Sequence, residues 1–76
     1  MKKLLIIVPK DSLLNNYLTK SFRVYAKFSE IEGMVYYNHI GQSNPMDTIN
    51  YLITMFMLSD FSVDCIHGDY TFRVCS

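Results

Sequence analysis

The sequence predicts a small α/β domain of order β-α-β-α-β-β, in which two helices pack on a four-stranded mixed sheet whose last two strands form a hairpin. Three observations carry that prediction. Leu4 to Val8 is apolar throughout, the mark of a strand buried on both faces. Two longer stretches repeat apolar residues at helical spacing, and the segment from Phe61 onward changes to strict alternation.

The first strand is read over Lys2 to Val8 and, having no polar alternation, belongs in the middle of the sheet. Pro9 stops it. Asp11 or Ser12 then caps a helix predicted to run to about Phe28, with Leu14, Tyr17, Leu18, Ser21, Phe22, Tyr25 and Phe28 on one arc and Lys20, Arg23 and Lys27 on the other side. Gly33 ends the connection. Met34 to Ile40 is the second strand, its Val35, Tyr36 and Tyr37 suited to a pleated surface.

The second helix is read over Met46 to about Ser59. Ser43 or Asn44 is its N-cap, Pro45 is tolerated in the first turn, and Asp47 favours the positive end of the helix dipole. Met46, Ile49, Leu52, Ile53, Phe56 and Met57 share one face, and Tyr51, Met55 and Leu58 form a second stripe nearly opposite. A helix apolar on two sides has to be covered twice.

Beyond it, Gly68-Asp69 reads as a two-residue hairpin turn. That turn sets Cys65 opposite Phe72 and Asp64 opposite Arg73 as a cross-strand ion pair, worth a few tenths of a kcal/mol up to about 1. It also puts Cys65 and Cys75 on opposite faces, so both are read as reduced thiols. Two right-handed βαβ units make the first three strands parallel and the fourth antiparallel, in spatial order 2-1-3-4. The rival arrangement, of α+β type, is an antiparallel or mixed sheet with both helices on one face and the other face open.

Seventy-six residues make a single domain, 1–76, which hides only about 60 to 65 % of the surface its unfolded chain exposes. Six Tyr, five Phe and five Met in that length exclude intrinsic disorder. Seven Lys plus Arg balance seven Asp plus Glu, so no global field draws the chain to nucleic acid or an anionic membrane. The apolar run after Met1-Lys2-Lys3 ends at Pro9, short of the roughly 7 to 15 residues of a signal peptide's apolar region. No stretch reaches the roughly 20 apolar residues that span a bilayer. The expected location is the compartment of synthesis, the cytoplasm.

No catalytic signature can be written. The loop after the first strand lacks the glycines of a phosphate-binding turn, and there is no Cys-x-x-Cys, His-Glu-x-x-His or Gly-x-Ser-x-Gly. The expectation is a protein that is not an enzyme and needs no cofactor or metal. In the parallel arrangement the strand ends would bring Lys10, Asp11, Ser12, His39, Gln42, Ser43, Asn44, His67 and Asp69 to one edge, the usual ligand position of open α/β sheets. There His39 and His67, oriented by Asp11 or Asp69, are the candidates for a small-ligand or metal site of a minimal enzyme. Asp11, Ser12, Ser43, Asn44 and Asp69 are equally what caps and turns require.

Lys20, Arg23 and Lys27, with Tyr17 or Tyr25 for stacking, are the candidates for nucleic-acid contact. Neutral net charge argues for an ordinary solvated helix face instead. The remaining stripe of Tyr51, Met55 and Leu58, with Tyr37, fits the preference of contact surfaces for Tyr and Met. It makes a protein-binding module the leading expectation, acting through the second helix and an exposed sheet edge or face, the partner being another protein or a second copy in a homodimer. In general character, a short one-domain chain with many Asn, Tyr, Ile and Lys and no catalytic motif, the sequence resembles the small accessory proteins that phages and other mobile elements encode. That resemblance implies binding and inhibition of a host factor.

Overall fold

A computed structural model describes residues 2–75; Met1 and Ser76 lie outside the described residues. The elements are β1 (Leu4–Pro9), α1 (Leu13–Lys20), β2 (Tyr25–Ile31), β3 (Met34–His39), α2 (Pro45–Phe56), β4 (Phe61–Ile66) and β5 (Asp69–Val74). The strands form one five-stranded mixed sheet in the order β2-β3-β1-β5-β4. β1 pairs antiparallel with β3 and parallel with β5, and the outer pairs β2/β3 and β4/β5 are antiparallel hairpins. β1 is central, as its uninterrupted apolar run requires.

The class is therefore α+β, and two details of the predicted topology are corrected. The first is the strand count. The helix expected to reach Phe28 stops at Lys20, capped by Ser21, and Tyr25–Ile31 is a strand. Val24 and Tyr25 both donate their backbone N–H to the Ser21 carbonyl, which turns the chain out of the helix. The three-residue spacing of Phe22, Tyr25 and Phe28 imitated a helical arc, but aromatic and β-branched residues also suit a strand. A tight turn at Glu32-Gly33, both at positive φ (52° and 78°), closes β2 onto β3. Two consecutive left-handed residues are the signature of a type I′ hairpin turn.

The second correction concerns strand direction. With an extra strand inserted, β3 lies antiparallel to β1, and the order 2-1-3-4 gives way to one in which β5 adjoins β1. The C-terminal hairpin also turns one residue earlier, at His67-Gly68, with φ of 53° and 85°. Asp64 consequently faces Thr71, Arg73 faces Ser62, and the expected Asp64–Arg73 pair becomes a diagonal. A shift of two in register preserves the faces. Cys65 and Cys75 are accordingly free, exposed thiols.

Caps fall where predicted. The Ser12 hydroxyl accepts from the Asn15 N–H at 3.1 Å and donates to the Pro9 carbonyl at 2.6 Å, and the Asn44 side chain accepts from the Met46 N–H at 2.9 Å. Both helices lie on one side of the sheet. Leu14 and Leu18 of α1 and Ile49 and Leu52 of α2 join Leu4, Ile6, Val8, Tyr25, Val35, Tyr37, Phe72 and Val74 in one core, and an edge-on contact of Tyr17 with Phe56, 5.4 Å between centroids, ties the helices together. The fully buried Tyr37 ring needs partners for its hydroxyl. It finds them in Thr19 Oγ1 at 2.7 Å and Asn15 Oδ1.

Candidate functional site

Strand alternation places every second residue on the side away from the helices. β1 gives that face Leu5 and Ile7, β3 gives Met34, Tyr36 and Asn38, and β2 gives Ala26 and Ile31. Direct register partners confirm the assignment: Ile31 opposes Met34, Ile7 opposes Tyr36, and Leu5 opposes Asn38. The register of β2 and β3 shifts between Lys27 and Ser29, and Phe28, at this bulge, sets its ring edge-on to Tyr36 at 6.1 Å. Bulges of this kind re-aim a side chain.

Among the described residues no helix lies over this second face. Phe28 is 54 % and Ile31 53 % exposed, whereas Ile7, flanked in the register by Tyr36 and Arg73, is buried. On the β5/β4 side the same face carries Thr71, Arg73, Ser62 and Asp64, with the exposed Ile66 at the hairpin end. An apolar half and a charged half thus lie side by side.

The residues expected at an interface are dispersed. Tyr37 is 0 % exposed and belongs to the core, while its neighbour Tyr36 takes the uncovered face. Tyr51 and Met55 do stand exposed on α2, but Leu58 folds back on the core. Met57, expected on the buried face, is 87 % exposed because it ends the helix in the left-handed conformation (φ 49°).

The strand-end set also divides. Since β3 runs opposite to β1, Asp11 after β1 and His39 at the end of β3 lie at opposite ends of the sheet. His39 faces the helix layer, 3.5 Å from Thr48 Oγ1, and its partial burial lowers its pKa from the usual histidine value. Asp69 accepts the Lys3 backbone N–H at 2.9 Å, and His67 occupies the hairpin turn. Among the described residues no group of three or more His, Cys, Asp and Glu is placed to hold a metal ion. The basic stripe dissolves as well, because Lys20 ends α1, Arg23 lies in the turn beside Phe22, and Lys27 sits on β2. Glu30 draws both Lys27 (3.7 Å) and Lys10 (3.4 Å).

One concavity was not legible from the sequence. An open cleft of about 340 Å³ lies between the two helices and β2, lined by Tyr17, Tyr25, Ser43, Asp47, Thr48 and Tyr51. Burial, with the nearby Tyr17 and Tyr51 hydroxyls, pushes the Tyr25 pKa up to about 12. A hydrogen bond with Tyr17 also raises that of Tyr51. All three tyrosines come from different elements, so only the fold brings them together.

Comparison with protein families, with curated proteins and with solved structures returns no match to this chain. No helix among the described residues is long and apolar enough to cross a membrane.

Proposed function

We propose that this chain is a non-catalytic protein-binding domain whose contact surface is the uncovered face of its sheet, and that a second copy of the chain occupies that face. The observation that carries the reading is the pair of half-exposed apolar side chains, Phe28 and Ile31, beside Met34 and Tyr36 on a sheet face no helix covers. Neighbouring apolar side chains left in water mark contact surfaces when a polar border surrounds them.

The charges favour a second copy as the occupant. Arg73 and Asp64 stand together on this face, one of each sign, so a two-fold axis through the sheet can set each against its opposite on the other copy. The chain carries formal net charge 0, so two copies meet without overall repulsion. Free exposed thiols at Cys65 and Cys75 suit the reducing cytoplasm.

Sedimentation equilibrium of the wild type and of Phe28→Asp/Ile31→Asp tests the proposal. The wild type is expected at twice the 8.9 kDa chain mass at tens of micromolar, and the double variant at the single mass with its circular dichroism unchanged. A monomeric wild type, or a dimer untouched by both aspartates, would refute self-association through this face. Capture of a different protein in a complex sensitive to those aspartates would keep the surface and replace the occupant.

A further inference from the structure

The cleft between the helices lies on the covered side of the sheet and owes nothing to the uncovered face. We propose that it is a binding site for a small organic cation, an alkylammonium head group such as a quaternary trimethylammonium.

The lining is specific in what it contains and in what it lacks. Three of its six residues are tyrosines, Tyr17 from α1, Tyr25 from β2 and Tyr51 from α2, and the only formal charge among them is the carboxylate of Asp47, in the first turn of α2. No lysine or arginine lines it. An anion would meet a carboxylate there without any countercharge. A cation would meet the negative faces of aromatic rings and one negative charge, the combination by which aromatic cages hold methylated ammonium groups.

The walls are held before any ligand arrives. Tyr17 and Tyr25 stand 6.1 Å apart at 58°, each braced from behind: Tyr17 by Phe56 at 5.4 Å and Tyr25 by His39 at 5.6 Å. Tyr51, on the exposed side of α2, supplies the third ring of the lining. Burial raises the pKa of Tyr25, and that of Tyr51 is raised as well, while burial lowers the pKa of His39 and so disfavours a positive charge beside Tyr25. A pre-set cavity avoids the ordering cost that weakens binding to flexible sites. At about 340 Å³ it falls at the small end of the range for ligand pockets, suited to a head group with a short tail.

A trimethylammonium group occurs both in free small molecules and on a methylated lysine side chain. Titration calorimetry with tetramethylammonium, choline and a trimethyl-lysine peptide, each beside 3,3-dimethylbutan-1-ol as choline's uncharged isostere, distinguishes these, with tyrosine ring resonances followed in parallel. The expected result is saturable binding of the cations that moves the Tyr17, Tyr25 and Tyr51 rings, with the neutral alcohol at least about tenfold weaker. Tighter binding of choline than of the peptide assigns a free small molecule, and the reverse order a protein tail. Asp47→Asn and Tyr51→Ala each lower the affinity roughly tenfold while circular dichroism stays constant, and Met55→Ala, exposed on the same helix outside the lining, leaves it unchanged. Equal binding of the alcohol, cation binding indifferent to both cleft variants, or an absence of ring shifts at tens of millimolar cation would overturn the assignment.

Discussion

The two faces of the sheet are made by the same strands and end in different states. β1 sends Leu4, Ile6 and Val8 into the core beneath the helices and Leu5 and Ile7 to the opposite side; β3 divides Val35 and Tyr37 from Met34 and Tyr36 in the same way. The covered face meets two helices. The other has no helix packed on it among the described residues, although its β2/β3/β1 half is also apolar. The contrast is one of supply: the described residues form two helices, and both pack on one side. Apolar residues on the second side, Phe28 and Ile31 among them, are left half exposed; a second copy laid on that face is the proposed cover.

Removing matched side chains from each face separates the two energetically. Leu52→Ala, beneath α2, should cost about 2 to 5 kcal/mol of stability in urea unfolding. Ile31→Ala, measured dilute enough for single chains, should cost less than about 1 kcal/mol. Equal costs would mean that the second face is packed in the monomer, and the contrast would disappear.

Alkaline titration probes the covered face alone. Tyr25 in the unfolded chain ionises near pH 10, but in the fold it holds its proton to about 12. Its contribution is therefore complete below pH 10 and is lost as the pH rises towards 12, a loss on the order of 2 to 3 kcal/mol. Subtracting the unfolding profile of Tyr25→Phe from that of the wild type should isolate this fall; parallel profiles would show the hydroxyl to be solvated. A smaller effect is expected at the junction of α1 and β3. Tyr37→Phe takes the phenol partner from Asn15 Oδ1, while Thr19 Oγ1 keeps its bond to the Asn15 carbonyl, and should cost about 1 to 2 kcal/mol by the same unfolding assay.

The parts of this fold that were legible share a local cause. The apolar run of Leu4 to Val8 fixed a central strand, Ser12 and Asn44 announced their helices, and the alternation from Phe61 fixed the faces of the final hairpin even though its turn lay one residue earlier. The β2/β3 hairpin was hidden because Glu32-Gly33 is a weaker turn signal than Asn-Gly, and because Phe22, Tyr25 and Phe28 fit a helical period as well as a strand. With that strand missing, β3 took the wrong direction, and the grouping of Asp11 with His39 followed from the error. Candidate contact residues were named on α2, where Tyr51 and Met55 are indeed exposed, while the open sheet face was foreseen only in the rival arrangement and without its residues, because Phe28 and Ile31 belong to the strand that was missed. The tyrosine cleft depends on three elements meeting, and no local pattern encodes it.

Which surface the protein uses can be read by diluting it from millimolar to low micromolar while following resonances of individual side chains by nuclear magnetic resonance. Concentration-dependent shifts are expected at Phe28, Ile31, Met34 and Tyr36, with Ile49 and Leu52 unmoved. Shifts confined to Tyr51 and Met55, or none anywhere across that range, would contradict self-association through the uncovered face.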